Sequence, residues 1–266
     1  MSIFEIFIYS LVQAICEFLP ISSSAHLALI PRVLKIQDPG IVFDLFLHFG
    51  SVLAVIIYFR KKIFKMFYDF TILKDKRSFQ SLFQLDLVKV IIVSIVSILF
   101  ILVLKGRVEN LRGQLLPIAS SLVLFAIILS ICDVIGNRKS NTFNRLSLKN
   151  FLFIGFAQAL AIFPGVSRSG ITISVFRALG ISRERAGEFS FLISIPIILA
   201  GTAYKCLKIF QGEVIHFQWS SMFLGIGLTF VFSILVIHFF LKILKSFSLH
   251  PFSIYRILLG ALLLLI

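Results

Sequence analysis

Acidic residues are scarce in this sequence, and charged residues of either sign are few. The chain of 266 residues has 12 Asp and Glu against 26 Lys and Arg, and charged residues make up only 14% of it. Hydrophobic residues make up 59%, and 31 residues are phenylalanine. This balance excludes an ordinary soluble domain and predicts an all-α protein that crosses a membrane several times.

Cysteine is also rare, with single residues at Cys16, Cys132 and Cys206. None of them lies in a C-x-x-C motif or at a spacing typical of metal ligands, so we expect buried free thiols. No Lys or Arg precedes Arg32, and acidic residues interrupt the first apolar segment. A cleavable signal peptide begins with basic residues and an unbroken apolar run, so this segment is not predicted to be one.

Two kinds of apolar segment follow one another along the chain. A full membrane span needs about 20 apolar residues. Six segments are interpreted as full spans, at roughly 41–59, 87–104, 115–136, 188–207, 219–241 and 252–266. Four shorter ones are broken by Pro, Gly or Ser, at roughly 3–18, 23–35, 149–163 and 169–180. Each short pair is joined by a polar turn, which predicts two re-entrant helix–turn–helix pairs shielded from lipid by the other helices.

The sequence contains an internal duplication at a shift of 145 residues. The segment QAICEFLPISSSA from Gln13 aligns without a gap on QALAIFPGVSRSG from Gln158, and the matches include one Gln and two Ser positions. Each half then has one re-entrant pair and three crossings. Because three is odd, the second half is inverted, and the polar turns are expected to meet near the bilayer midplane. We predict one membrane domain, 1–266, with repeats at about 1–136 and 148–266.

The excess of basic residues does not point to nucleic acid, because the cations lie mostly in short loops. On the predicted topology one side of the membrane receives 15 Lys and Arg in its loops and the other receives 5. Such a bias places the richer side in the cytoplasm, against anionic lipid head groups. The first re-entrant pair would then enter from outside and the second from the cytoplasm.

The second polar turn reads PGVSRSGIT from Pro164 to Thr172. An arginine in so apolar a protein is costly unless it faces a protein-lined cavity. We expect Ser169 to cap the following helix, so that Arg168 and backbone N–H groups bind phosphate oxygens. The alternative is an arginine that snorkels or caps carbonyl groups. Arg168 is the candidate catalytic residue here, and the candidate binding residues are Ser167, Ser169, Gly170 and Thr172.

The first polar turn reads QAICEFLPISSSAH from Gln13 to His26. Gln13 and Glu17 are four residues apart and project from one helix face. A carboxylate in this setting requires a partner, and Arg168, a divalent cation or both would serve. Together with the groups of the second turn, these side chains are expected to bind a phosphate ester or a diphosphate. The candidate substrate-binding residues here are Gln13, Ser22 and Ser24, and the candidate catalytic residues are Glu17, Ser23 and His26.

Together the two turns supply the ingredients of phosphoryl transfer. Arg168 would neutralise charge on the transferred group. Glu17 would hold Mg²⁺ or Ca²⁺, or would act as a base. Ser22 or Ser23 would be a nucleophile activated by His26 or Glu17, or would orient an attacking water, and both routes stay open. The structural alternatives are an ion pair for Glu17 and a satisfied core histidine for His26.

The remaining histidines and several arginines have structural explanations. Four histidines lack polar neighbours in the sequence and are expected to be structural: His48, His216, His238 and His250. Asp44 would line the entrance to the site or stabilise a helix N-terminus. Four residues are predicted to snorkel at helix ends and to pair on the surface: Arg177, Arg183, Arg185 and Glu188.

These motifs resemble those of the undecaprenyl-diphosphatase family, whose members are also called bacitracin-resistance proteins. The resemblance extends over nearly the whole chain, and the second turn is the closest match. Where the family commonly has E-G-x-T-E, this chain has Gln13, Ala14 and Cys16, and Ala25 replaces the usual Gly before His26. The resemblance rests on EFLPISSSAH from Glu17, FDLFLHFGSVLAVIIYFRK from Phe43, PGVSRSGIT from Pro164 and SRERAGEFSFLISIP from Ser182.

The resemblance implies a membrane phosphatase that hydrolyses undecaprenyl diphosphate to undecaprenyl phosphate and phosphate. It implies a bacterial cytoplasmic membrane, a site opening to the outer side, recycling of the cell-wall lipid carrier, and resistance to bacitracin. It also implies that Glu17 is the metal-binding or catalytic acid, with Gln13 as its weaker partner. With one carboxylate, the ion would be held more weakly, or mainly by the substrate diphosphate. The expected partners are a polyprenyl diphosphate lipid and the bilayer, with no nucleic acid, and a homo-oligomer is compatible with the sequence.

A second hypothesis is a transporter or flippase for polyprenyl phosphate. Inverted repeats with re-entrant helices are typical of transporters, and an anion site at midplane could move the lipid across the membrane. A scaffold or channel is a third hypothesis, with less support, because a pore does not need an arginine–serine cradle.

Overall fold

The ends of the helices lie where polar or helix-breaking residues interrupt the apolar sequence. A computed structural model describes residues 1–72, 82–83, 85–108, 111, 114–137, 143–210 and 219–265. The described part contains eleven α-helices. In chain order they are α1 (Ile3–Phe18), α2 (Ser23–Leu34), α3 (Gly40–Tyr58), α4 (Arg60–Ile72), α5 (Asp86–Val108), α6 (Leu115–Asn137), α7 (Leu148–Ala159, extended by a 3₁₀ turn, Leu160–Ile162), α8 (Arg168–Ala178), α9 (Arg183–Phe210), α10 (Trp219–Ser246) and α11 (His250–Leu264).

Five of these helices are long and apolar enough to cross a membrane: α3, α5, α6, α9 and α10. The prediction of a helical multi-pass membrane protein is therefore confirmed. The sixth predicted span is α11, which has 15 residues. At about 1.5 Å per residue it is shorter than the roughly 30 Å hydrocarbon core, so its length does not match a full span.

The short helices lie where the broken segments are in the sequence. The pairs α1–α2 and α7–α8 are each joined by a turn of a few residues, and their ends agree with the predicted ends to within two residues. The α1 helix begins with a capping box, in which Ser2 and Glu5 exchange side-chain and backbone hydrogen bonds. Residues 60–86, which the predicted topology places in a loop between the first two spans, begin with the basic helix α4 at Arg60–Ile72.

The packing of the two halves is reciprocal. The first short helix of the first half, α1, packs against α10 of the second half, and the corresponding helix α7 packs against α5 of the first half. Helix α3 also packs against α10, and α6 lies between α8 and α11. This exchange supports the duplication. The inverted orientation, the repeat boundaries and the depth of the turns in the bilayer stay predictions.

A buried ion cluster joins α6, α8 and the start of α9. The Asp133 carboxylate accepts hydrogen bonds from Nε of Arg177 at 2.8 Å and from Nε of Arg183 at 2.9 Å. Asp133 is fully buried and Arg177 is only 3% exposed. The prediction that Arg177 snorkels and pairs on the surface is therefore wrong. Arg183 lies at a helix end as predicted, with its side chain 20% exposed, but its partner is this buried carboxylate and not a surface one. Glu188, in contrast, pairs with Lys62 and Arg185 as expected of a surface carboxylate.

Candidate active site

The two polar turns have the same backbone geometry. Ser22 and Ser167, 145 positions apart, have φ of 76° and 68°, and both are the N-cap residues of the helices that follow. The Ser22 hydroxyl accepts from the Ala25 N–H, and the Ser167 hydroxyl accepts from the Gly170 N–H. A positive φ is uncommon outside glycine, and strained backbone of this kind concentrates at functional sites. The prediction of Ser169 as the cap is wrong, since the cap lies two residues earlier.

The turns contact each other at their tips. Ser169 on the second turn donates to the Leu19 carbonyl of the first at 3.1 Å. Nη2 of Arg168 donates to Oε1 of Glu17 at 2.5 Å, and Nη1 donates to the Ser190 carbonyl at 2.9 Å. The predicted pairing of Glu17 with Arg168 is confirmed, although the two residues are 151 positions apart.

Glu17 is the centre of the hydrogen-bond network. Its other oxygen, Oε2, accepts from the Ser23 hydroxyl at 2.8 Å and from Nε2 of Gln13 at 3.2 Å. Nε2 of His48 lies 3.2 Å from the same oxygen. The carboxylate is 6% exposed, so nearly all of its solvation comes from these four side chains. A carboxylate that accepts the hydroxyl hydrogen of Ser23 is placed to take that proton during a reaction.

His48 reaches the site from α3, and its predicted isolation from polar groups is wrong. Two other histidines have polar partners as well, since His250 lies 2.7 Å from the Ser130 hydroxyl and His238 lies 3.3 Å from the Tyr58 hydroxyl. His216 lies outside the described residues. Sequence reasoning missed His48 because its contact with Glu17 is tertiary and the residues next to it in the chain, Leu47 and Phe49, are apolar.

His26 is held away from the serine hydroxyls. Its Nδ1 lies 2.8 Å from the Ser22 carbonyl oxygen and its Nε2 lies 2.7 Å from the Tyr255 hydroxyl, and the two rings stack. A carbonyl only accepts, so Nδ1 donates and Nε2 accepts from the tyrosine. In this arrangement the ring joins α2 to α11, and its predicted role in catalysis stays a prediction.

A polar cavity of about 180 Å³ opens at the two turns. Its lining includes Glu17, the three serines from Ser22 to Ser24, His48, Ser167 and Arg168. The remaining predicted binding residues lie behind this lining. Gln13 orients Glu17, the Gly170 N–H is used by Ser167, and Thr172 bonds to the Arg168 carbonyl and the Ser190 hydroxyl. Their contact with a substrate stays a prediction.

A larger apolar cavity of about 480 Å³ adjoins the polar one. Its lining residues include Leu27, Leu45, Leu102 and Ile118. Asp44 also lines this cavity, and its position at the entrance to the site stays a prediction. The two cavities share six lining residues: Ser24, His48, Ile101, Ala161, Ile162 and Ile197. A polar cavity joined to an apolar one matches a ligand with an anionic head and a hydrocarbon tail.

Arg256 on α11 donates hydrogen bonds to both turns, and it was not among the residues predicted from the sequence. Its guanidinium is fully buried and donates to the Pro20 carbonyl of the first turn at 3.3 Å. It also donates to the Gly165 and Val166 carbonyls of the second turn, each at 3.0 Å. An ionisable residue inside an apolar terminal helix was the available signal.

The donor set fits a divalent cation only when the substrate supplies ligands. Among the described residues no three His, Cys, Asp or Glu side chains converge as a metal site would require. Glu17 is the one carboxylate that lines the polar cavity within this part of the chain. The Oε1 atom of Gln13, one helical turn away, is buried without a donor in the described structure. One carboxylate and a neutral oxygen match an ion such as Mg²⁺, which commonly takes its other ligands from phosphates and water.

Comparisons with known proteins agree over the full length of the chain. The family described as bacitracin resistance protein BacA matches residues 6–262. Undecaprenyl-diphosphatase 2 of Stutzerimonas stutzeri is 40% identical over 271 residues, which cover 100% of this chain and 98% of that protein. Undecaprenyl-diphosphatase of Marinobacter nauticus is 40% identical over 261 residues, with 98% and 97% covered.

Proposed function

The chain belongs to the bacitracin resistance protein BacA family, and we propose that its two turns hydrolyse undecaprenyl diphosphate to undecaprenyl phosphate and phosphate. Two relatives that match it nearly end to end carry the name undecaprenyl-diphosphatase. The apolar spans agree with an enzyme that takes its substrate from a membrane.

The observation that carries this proposal is the junction of Glu17, Ser23 and Arg168 at the meeting point of the two turns. A carboxylate, a hydroxyl and a guanidinium lie within direct hydrogen-bond distance in one polar cavity. The adjoining apolar cavity has room for the first part of a prenyl tail. The diphosphate would occupy the polar cavity, and the rest of the tail would leave between apolar helices.

The geometry supports Ser23 as the nucleophile and Glu17 as its base. The Ser23 oxygen would form a bond to the terminal phosphorus while its proton passes to Glu17. The bond from that phosphorus to the bridging oxygen would break, and its electron pair would remain on undecaprenyl phosphate. Water would then attack the phosphorus of the phosphoserine, and the bond from that phosphorus to the Ser23 oxygen would break. The Ser23 oxygen would take its proton back from Glu17, and phosphate would leave with the oxygen and the protons of the water. Direct attack by water oriented by Ser23 is the alternative route.

Arg168 would neutralise charge on the transferred phosphoryl group. Its guanidinium is 11% exposed at the cavity, so it can exchange part of its contact with Glu17 for phosphate oxygens. Mg²⁺ or Ca²⁺ would be held by Glu17 together with the diphosphate, and it would supply further charge neutralisation.

The cellular setting follows from the same substrate. We propose a bacterial cytoplasmic membrane with the cavity open to the outer side, as the distribution of basic loops favours. Hydrolysis there would recycle the lipid carrier of cell-wall synthesis. It would also confer bacitracin resistance by removing the diphosphate lipid that the antibiotic captures.

The test is phosphate release from undecaprenyl diphosphate by the purified protein in detergent micelles with Mg²⁺ or Ca²⁺. Arg168→Met is expected to lower kcat by about 100- to 1,000-fold, the usual cost of removing a charge-stabilising group. Arg185→Met is the matched control, since that side chain is 60% exposed and pairs only with Glu188 among the contacts described. Lipid binding without any phosphate release by the unmodified protein would overturn the proposal in favour of a flippase.

A further inference from the structure

His48 lies at the boundary between the polar and the apolar cavity. Of the six residues that line both cavities, only His48 and Ser24 have polar side chains. The His48 side chain is 21% exposed, more than that of Glu17 or Arg168. A ligand that fills both cavities therefore passes directly over this ring.

The ring is held in one orientation. Its Nδ1 lies 2.7 Å from the Asp44 carbonyl oxygen one turn earlier in α3, and its Nε2 faces Oε2 of Glu17. The carbonyl only accepts, so Nδ1 is a donor, and the carboxylate on the other side makes Nε2 a donor as well. The Asp44 bond anchors the ring, while Nε2–H remains directed at the site.

The shape of the proposed substrate identifies what Nε2–H would meet. In a prenyl diphosphate the phosphate that bears the tail is the only group that joins the polar head to the hydrocarbon. With the head in the polar cavity and the tail in the apolar one, this phosphate lies at the boundary. It is also the leaving group, since the bond from the terminal phosphorus to the bridging oxygen is the one that breaks.

We propose, on the premise of the proposed function, that His48 is a catalytic residue that binds the tail-bearing phosphate. As the bridging bond breaks, its electron pair moves to the bridging oxygen, and the negative charge on the leaving phosphate grows. When substrate binds, Nε2–H exchanges its contact with Oε2 of Glu17 for a hydrogen bond to that phosphate and stabilises the developing charge, without transferring its proton. Glu17 and Arg168 act on the terminal phosphate, so the two ends of the diphosphate are bound by different side chains.

The alternative is that His48 only orients Glu17. The two roles predict different effects on the binding of the two products. Undecaprenyl phosphate contains the tail-bearing phosphate of the substrate, whereas the inorganic phosphate product comes from the terminal one. If His48 contacts the leaving group, its loss weakens inhibition by a prenyl monophosphate and leaves inhibition by inorganic phosphate unchanged. If it only orients Glu17, both inhibitors change together or neither changes.

The experiment compares His48→Leu with His48→Gln in the full-length protein, using farnesyl monophosphate and inorganic phosphate as competing inhibitors of phosphate release. Leucine removes the donor, whereas glutamine retains an N–H donor at a similar reach. For His48→Leu we expect kcat to fall about 100-fold, as for other lost donors to developing charge. We also expect the inhibition constant of farnesyl monophosphate to rise about tenfold, with that of inorganic phosphate unchanged. His48→Gln is expected to stay within about fivefold of the unmodified protein in both measurements.

His238→Leu is the control for loss of a histidine elsewhere in the spans, since His238 contacts Tyr58 and not the cavity. Direct binding of farnesyl monophosphate, measured by its stabilisation of the purified protein against heat, separates binding from turnover and reports whether His48→Leu is folded. Unchanged kcat and unchanged inhibition in His48→Leu would overturn this inference, as would an equal rise in both inhibition constants. No phosphate release by the unmodified protein would instead refute the proposed function, with the binding arm still able to test His48.

Discussion

Replacing Arg256 with methionine should loosen the junction of the two turns. Methionine retains much of the apolar stem of arginine but none of the three hydrogen bonds to the carbonyls of Pro20, Gly165 and Val166. A buried carbonyl without a donor costs about 1–3 kcal/mol, so three of them cost roughly 3–9 kcal/mol. Part of this is recovered because a charge no longer has to be buried, and we expect a net loss of about 3 kcal/mol.

The consequence for activity should be larger than the consequence for binding. Arg256 does not line either cavity, so its loss acts through the positions of Glu17 and Arg168. A displacement of about 1 Å at reacting groups can cost about 100-fold in rate. We therefore expect kcat for phosphate release to fall by about that factor, with KM changing little.

The assay is thermal unfolding followed by circular dichroism in micelles, together with phosphate release. Arg256→Lys should be intermediate, because one ammonium group cannot reach carbonyls on both turns in the planar fork of a guanidinium. Arg185→Met, on the surface, should stay within about 0.5 kcal/mol of the unmodified protein. Wild-type melting and wild-type kcat in Arg256→Met would refute the role assigned to this residue.

Two further predictions concern the surrounding structure. Asp133→Asn removes the negative charge that pairs with the buried Arg177 and with Arg183. It should therefore destabilise the protein by about 3–5 kcal/mol in thermal unfolding. The kcat of the folded fraction should remain near wild type, and a loss of kcat at full stability would contradict this. Gly165→Ala should lower both stability and phosphate release, because φ is +93° and the new Cβ would lie 2.5 Å from the Ile118 carbonyl oxygen. Gly227→Ala, in α10 and outside both cavities, meets nothing within 4 Å; it is the control and should be neutral, and equal behaviour of the two variants would contradict the strain at Gly165.

The architecture and the central ion pair could be predicted from the sequence because their signals are local or repeated. The Pro, Gly and Ser breaks mark the two polar turns, and the duplicated Gln and Ser positions predict that the two turns are equivalent. An isolated carboxylate and an isolated arginine in apolar surroundings each require a partner, and each is the obvious partner of the other. That reasoning led to Glu17 and Arg168.

The supporting groups could not be predicted because their partners are distant in the chain. The residues next to His48 in the chain, Leu47 and Phe49, are apolar, and only the packing of α3 against α1 brings its ring to Glu17, 31 residues away. Arg256 lies 236 positions from the Pro20 carbonyl that it contacts. Arg177 lies in the last turn of α8, as predicted, but its burial could not be predicted because its carboxylate partner, Asp133, is 44 positions earlier. Ser167 could not be predicted as the N-cap of α8 because the sequence does not show which of two nearby serines has a positive φ.

The central claim is that a turn from each half contributes to one catalytic site, and a double-mutant cycle tests it most directly. The cycle uses Glu17→Gln, Arg168→Met and the double variant, with kcat/KM for phosphate release from undecaprenyl diphosphate as the measured quantity. Residues that act as a unit are strongly non-additive, so the double variant should be scarcely slower than either single one, with a coupling energy of about 2 kcal/mol or more. Losses that add, with a coupling energy near zero, would show that the two turns act independently and would contradict the account.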